Sequence, residues 1–296
     1  MDLANLQAFI AVAEHASFSL AAEQLFVTQP AVSKRISSLE SELDQRLFDR
    51  IGRKITLTEA GQALLPRARR IITEIEDSRR ELANLSGMVE GKLKIGTSHH
   101  IGLHRLPPLL RQFKMNYPDV ALDIHFLGSE DACHAVENGE LELAIITLPS
   151  DTPERLEAES IWRDPLSVVC GREHPLLSSK LSLEKLMDYP AILPGPETFT
   201  REIIERALKP GAPGPQVDLS TNYLETIKML VSVGLGWSLL PETMLDEELA
   251  VLDIKELRIS RSLGIVRHRE RTLSNAAVEL TRLLQRQKIG SGIEIN

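Results

Sequence analysis

Cysteine is scarce: Cys133 and Cys170 are the two in 296 residues. Two isolated thiols make no disulfide framework, and both suit a reducing, cytoplasmic compartment. Long apolar runs are missing too. No stretch approaches the roughly 20 residues that a membrane helix needs, so no membrane partner is expected. The opening Met1-Asp2-Leu3-Ala4-Asn5 has neither a basic segment nor an apolar core, so no secretory signal is expected either. Basic charge is also in deficit: 34 Lys and Arg stand against 42 Asp and Glu, a net charge of −8. Bulk charge therefore offers no electrostatic footprint for nucleic acid. A Walker A loop, a dinucleotide-binding glycine motif, internal repeats and a membrane-targeting pattern are all lacking. The length suits two or three domains.

What is there begins with the stretch from Thr28 to Glu40. Val32, Ile36, Leu39 and Leu43 fall at spacings of four, three and four, one apolar stripe of a helix. Thr28 stands as its N-cap and Pro30 sits in the first turn, where a missing N–H costs nothing. The opposite face carries Gln29, Ser33, Lys34 and Ser37, side chains able to read base edges and hold phosphates. Upstream, Leu3, Leu6, Phe9, Ile10 and Ala13 predict a helix from about Asn5 to Ala16. Ser19 is placed to cap a short second helix that ends near Leu25. Two short helices joined by a tight turn make a helix-turn-helix pattern. Downstream, Leu47 to Thr58 reads as two short extended runs around Gly52, a wing with Arg50, Arg53 and Lys54 near its tip. The cations of residues 1–60 (Lys34, Arg35, Arg46, Arg50, Arg53 and Lys54) all lie on this helix and wing, although acidic residues outnumber them in that segment.

These residues carry a resemblance. Phe9 with Ala13, Ser17-Phe18-Ser19-Leu20-Ala21-Ala22, Gln29-Pro30-Ala31-Val32-Ser33, Leu39-Glu40, Leu47-Phe48 with Arg50, and Leu57-Thr58-Glu59-Ala60-Gly61 resemble the LysR-type transcriptional regulators, in order and without gaps over about the first fifth of the chain. The resemblance implies an α/β protein: an N-terminal winged helix-turn-helix, a long linker helix, and a two-lobed effector domain resembling periplasmic solute-binding proteins. It implies sequence-specific binding to double-stranded DNA at an interrupted inverted repeat. The DNA-binding set would be Thr28, Gln29, Pro30, Ser33, Lys34, Ser37, Arg50, Arg53 and Lys54. A homodimer or homotetramer, a small effector and contact with RNA polymerase complete the expected partners, with no cofactor.

From Thr58, Ala60, Leu64, Ala68, Ile71, Ile75, Ser78, Leu82 and Leu85 follow a near-heptad seam over a long helix, a pattern that usually pairs. The pairing residues would be Leu64, Ile71, Ile75 and Leu82, with Pro66 loosening the helix. In the family this segment is a dimerisation linker. From Lys92, strand patterns alternate with helices: Leu93–Ile95, Ala121–Phe126, Leu143–Ile146, Leu166–Cys170, Ala191–Leu193, Gln216–Leu219, Trp237–Leu240 and Leu263–Val266. That predicts an α/β domain of mainly parallel strands. The division is then 1–58 for DNA binding, 59–90 for the linker and 91–290 for the effector domain. Lobe one would take 91–163 and 267–290, and lobe two 164–266.

Ligands of open α/β sheets sit beyond the carboxyl ends of strands. By the resemblance, the effector residues are Ser98, His99, His100, Ser129, Thr147, Phe199 and Thr200. The family often has a small hydroxyl residue where His100 stands, and a histidine narrows the pocket. Hydroxyls beside helix N-termini favour a small anionic effector. Other readings stay open. His99, His100 and His104 could hold a metal or line a pocket; a metal needs three or four converging ligands, and adjacent His99 and His100 are expected to diverge, so no metal is assigned. Cys133, on the same helical face as Ser129, is a redox switch or a small buried hydrophobe. Ser98 with a neighbouring histidine has the residue types of a hydrolase without a nucleophile elbow, so no catalytic residue is assigned. A plain solute-binding module would have no use for the helix-turn-helix.

Overall fold

Three phenylalanines meet at the centre of the N-terminal unit. Phe9 and Phe18 lie with ring centroids 5.4 and 6.1 Å from Phe48. A computed structural model describes residues 1–51, 54–178, 180–208 and 214–290, and it divides into two compact units, Met1–Ser86 and Gly87–Asn296.

The first unit runs α1 (Leu3–His15), α2 (Phe18–Gln24), α3 (Gln29–Leu43), β1 (Phe48–Ile51), β2 (Lys54–Leu57) and α4 (Glu59–Asn84). The apolar stripe of α3 is buried, with Val32, Ile36 and Leu39 fully enclosed against Leu6, Phe9 and Val12 of α1. Ser17, not Ser19, caps α2: its Oγ accepts the N–H of Leu20 at 3.3 Å, and the earlier start turns Phe18 into the core. Several residues of the sequence pattern now have physical reasons. The Glu40 carboxylate accepts the N–H of Leu47 at 2.8 Å, tying the end of α3 to the wing. Thr58 Oγ1 donates to the carbonyl of Arg46 at 2.7 Å and accepts the N–H of Gly61 at 3.0 Å, a cap that also closes the wing. Gly61 has to be glycine, since a Cβ would stand 2.3 Å from the carbonyl oxygen of Leu47. Pro66 does not interrupt α4.

The second unit is built on β3 (Gly91–Thr97), α5 (His99–His104), α6 (Leu106–Asn116), β4 (Val120–Phe126), α7 (Ser129–Glu137) and β5 (Leu143–Thr147). It continues with β6 (Leu156–Gly171), α8 (Leu183–Met187), β7 (Ala191–Leu193), α9 (Phe199–Ala207), β8 (Val217–Ser220) and α10 (Leu224–Ser232). It ends with β9 (Trp237–Pro241), β10 (Leu249–Leu252), β11 (Ile259–His268) and α11 (Asn275–Gly290). One sheet runs β4-β3-β5-β11-β6-β9-β7-β8, with β10 beside β6. Strand β5 is buried at every position, and apolar from Leu143 to Ile146, because both its faces are covered. Leu143 and Ile145 pack toward α6 and α11, while Ala144 and Ile146 pack toward α7. Burying each such side chain is worth about 1.5–3 kcal/mol.

Two antiparallel strands carry the sheet from one lobe to the other. Strand β6 pairs with β11 from Leu156 to Leu166, then with β9 and β10. The sequence pattern predicts β6 only from Leu166; its earlier half carries Glu157, Glu159 and Arg163 among half-buried and exposed positions, and reads as surface. It did not mark β10 at all. The return passage also differs from the expected boundary at 267, for β11 already pairs with β5 from Leu263. The register between β11 and β6 shifts at Leu263/Gly264, where a Cβ on Gly264 would stand 2.0 Å from the Glu159 carbonyl oxygen. Of the proline-glycine run 210–215, residues 210–213 lie outside the described residues. Among the described residues no helix is long and apolar enough to cross a membrane.

Candidate functional site

The N-terminal unit presents one polar helical face. With Val32, Ile36 and Leu39 buried, α3 leaves Thr28, Gln29, Pro30, Lys34 and Ser37 exposed and Ser33 half-buried. Thr28 occupies the N-cap position without a side-chain cap bond. The preceding turn is tight. Phe26 adopts the left-handed region at φ 53° with its side chain almost wholly exposed, at 96%. In the wing, Lys54 is exposed at the start of β2 and Arg50 belongs to β1; Arg53 lies outside the described residues.

The seam of α4 divides. Leu64 and Ile71 pack on the unit's own core, beside buried Ala68. Ile75 is half-buried outside that cluster, and Leu82 and Leu85 are 69% and 80% exposed.

The second unit holds a cavity of about 490 Å³ between its lobes. Strand exits and helix starts of lobe one supply Ser98, His99, His100, Ser129 and Thr147; lobe two supplies Thr198, Thr200, Asn222 and Tyr223. Ser129 is fixed, its Oγ accepting the backbone N–H of Thr147 at 3.2 Å. At the crossing of the two long strands, Arg261 of β11 stands opposite Asp164 of β6. Both are buried, at 4% and 0% exposure. Arg261 Nε donates to Asp164 Oδ2 at 2.9 Å and Nη1 to Thr200 Oγ1 at 3.0 Å. Nη2 lies 2.8 Å from the same carboxylate oxygen but is not aligned for a hydrogen bond. Arg105, at the end of α5, donates to the other oxygen of Asp164 at 3.2 Å. Burial pushes the Arg261 guanidinium below its ordinary value, with Asp164 opposing that shift. Burial first, and Arg261 next, hold His100 down to about 3, so its imidazole is neutral.

Two family models cover most of the chain. The bacterial regulatory helix-turn-helix of the lysR family matches residues 3–62, and the LysR substrate binding domain matches residues 86–288. The chain belongs to the LysR family. This regulator is 31% identical over 291 residues to a probable RuBisCO transcriptional regulator of Synechocystis sp., covering 95% of this chain and 84% of that protein. It is 68% identical over 108 residues to an HTH-type regulator from the ibpB–leuC intergenic region of Azotobacter vinelandii, 36% of this chain and 75% of that protein. Its fold resembles a full-length cysteine variant of OxyR from Pseudomonas aeruginosa at a TM-score of 0.70 and 24% identity, covering 97% and 94% of the two chains. It is thus a LysR-type DNA-binding transcriptional regulator with an effector-binding domain.

Of the effector residues expected for this regulator, Ser98, His99, His100, Ser129, Thr147 and Thr200 line this inter-lobe cavity. Phe199 does not: its side chain packs with the α7 cluster, and its backbone N–H is held by Glu130 Oε1 at 2.5 Å. That internal carboxylate occupies the first N–H of α9, a helix start that the sequence pattern leaves open to a ligand. Sequence reasoning missed Arg261, Asp164, Glu130 and Asp131. Arg261 and Asp164 are 97 residues apart and meet only through strand pairing, so no local pattern marks them. The adjacent histidines do diverge. His99 leans on Phe126 and Tyr223, with ring centroids at 5.9 and 5.8 Å. His100 and His104, however, converge at 4.8 Å. Cys133 is a buried member of the α7 cluster. Burial, with Glu130 and Glu137 adding to it, pushes its thiol up to about 12. That leaves almost no thiolate for redox chemistry near neutral pH.

Proposed function

We propose that this regulator reads an interrupted inverted repeat in double-stranded DNA through α3 and the wing, and that a small oxyanion bound between the lobes sets its operator affinity. Gln29, Pro30 and Ser33 read base edges; Thr28, Ser37, Lys34, Arg50, Arg53 and Lys54 hold phosphates and sugars. Pairing of α4 through Ile75 and Leu82, with Leu85 extending the seam, brings two such units onto two half-sites. The protein works in the cytoplasm as a dimer or tetramer, touches RNA polymerase at its targets and carries out no catalysis.

The observation that carries the effector reading is buried Arg261 lining a cavity of about 490 Å³ among the hydroxyls of Ser98, Ser129, Thr147 and Thr200. Guanidinium, hydroxyl and backbone donors suit a carboxylate or similar oxyanion. Glu130 and Asp131 line the same cavity, so the ligand carries hydrogen-bond donors of its own, as a hydroxylated or amino-bearing acid does. The volume is that of a typical small-molecule pocket. The test is operator binding by fluorescence anisotropy, titrated with candidate acids in chelator-containing buffer. Wild type should respond, whereas Ser98→Ala and Ser129→Ala should keep effector-free DNA binding and lose the response. Equal responses from all three proteins would place the regulatory signal outside the cleft.

A further inference from the structure

Two imidazoles and a carboxylate meet across the cleft. His100 and His104 stand four residues apart on α5, so their rings leave the same side of the helix. Glu225 enters from the first turn of α10 in the other lobe. Its Oε1 lies 3.2 Å from His104 Nε2 and 3.9 Å from His100 Nδ1. One ligand-type atom from each residue falls within 4.8 Å of the other two.

The hydrogen bonding of this cluster is incomplete. His100 is 4% exposed, and both its ring nitrogens lack a hydrogen-bond partner among the described residues. So does the buried Oε2 of Glu225. A buried polar group left unmet destabilises the fold unless a ligand satisfies it. The His104–Glu225 contact satisfies one oxygen and leaves these three atoms unmet. Spacing in the sequence pointed away from this arrangement, because the third group comes 121 residues after His104.

We propose that His100, His104 and Glu225 bind a borderline divalent transition-metal ion, zinc foremost, that ties the two lobes together. Two imidazole nitrogens and one carboxylate oxygen are a ligand set that zinc and its neighbours accept, with a further position left open. Zinc–ligand bonds of about 2.0–2.1 Å place tetrahedral ligand atoms roughly 3.3 Å apart. The His104–Glu225 pair is already at 3.2 Å, and the His100–Glu225 pair at 3.9 Å closes by side-chain rotation. The positive neighbours Arg105 and Arg261 are both paired with Asp164, and Glu225 supplies the negative charge at the ion itself. His100 lines the cleft, so the open position faces the cavity and takes water or an oxygen of a bound ligand. Ligands from both lobes make the ion favour the relative placement of the lobes seen here, since that placement brings the three ligands together. The site shares the cleft with the oxyanion reading but does not depend on it.

The test uses full-length protein stripped with a chelator, then titrated with zinc chloride by calorimetry and with cobalt(II) chloride by visible absorption. One zinc per chain is expected, with cobalt ligand-field bands of a low-coordinate nitrogen–oxygen site. His104→Gln and Glu225→Gln should each weaken zinc by at least about 100-fold, since loss even of a group supporting a metal ligand costs about 10–100-fold. His134→Gln, at a histidine 75% exposed on α7, should leave affinity unchanged. Zinc should raise the Tm of wild type and not of the two ligand variants. His104 and Glu225 are about one-third exposed, so both variants should fold, as metal-free circular dichroism checks. No saturable zinc binding, or equal affinity in wild type and both ligand variants, overturns the site. Zinc binding lost with His104→Gln but kept with Glu225→Gln overturns the bridge between lobes. Acid titrations run in chelator report on the oxyanion alone, so the two readings fail separately.

Discussion

Asp164 has no exposed surface and is the carboxylate that two guanidinium groups share, which makes it the residue whose loss the effector domain should feel most. Asp164→Asn would leave Arg261 buried without its counter-charge. Removing one partner of a buried pair costs about 3–5 kcal/mol, because the other charge stays desolvated. Urea unfolding of the variant should show a loss of that size, and the double variant Asp164→Asn/Arg261→Gln should lose less than the sum of the singles. A loss below about 1 kcal/mol would mean that water reaches the pair. His174 gives a prediction in pH. It is 5% exposed, its Nδ1 accepts the N–H of Leu176 at 3.2 Å, and burial holds its pKa below the ordinary 6.5. The unfolded chain therefore takes up this proton first as pH falls. The stabilisation from a neutral His174 is complete above about pH 6.5 and is lost progressively below it. The drop in unfolding midpoint between pH 7 and pH 5 should be smaller in His174→Gln than in wild type; an equal drop would assign the dependence to other groups.

Among the elements, α4 is the one whose sequence pattern and packing part company. A near-heptad stripe looks uniform, but Leu64 and Ile71 serve the core of their own unit while Leu82 and Leu85 stay exposed. A repeat reports only that a face is apolar, not which surface covers each turn of it. Leu82→Glu should therefore give monomers in sedimentation, since a charge on a two-fold seam meets its own copy, and it should leave the fold of each unit intact. An unchanged dimer would move the interface elsewhere. Leu64→Glu should instead destabilise the N-terminal unit, a different outcome from the same stripe. Much of α3 was legible because its signals are local: the spacing of Val32, Ile36 and Leu39, and Pro30 in the first turn. The cap of α2 was misplaced by two residues because Ser17 and Ser19 are equally good caps until Phe18 has a core to enter. The first half of β6 was illegible because its alternating charges suit an exposed strand as well as a crossing one.

For the whole molecule, effector and operator are linked. An effector that changes operator affinity tenfold must have its own affinity changed tenfold by operator, about 1.4 kcal/mol either way. Titrating the effector into free and operator-bound regulator should give that ratio, and a ratio of one beside a real change in operator affinity would show that the two titrations had compared different assemblies. Family, the order of most elements and the polar face of α3 were legible in the chain itself; β10 and the first half of β6 were not. The family rests on an ordered run of motifs from Phe9 to Gly61, and the helices on neighbours within about one or two turns, where side-chain periodicity directly reflects which face is buried. The chemistry of the cleft was decided by tertiary structure. Asp164 meets Arg261 across 97 residues, and His104 meets Glu225 across 121. Ser98 and Thr200 reach one cavity from different lobes. Strand β6 crosses between those lobes, and the bulge at Gly264 shifts the register of its partner β11. Only that crossing sets which distant charges are desolvated together, and desolvation is what makes Arg261, Asp164 and His100 differ from the same residues on a surface.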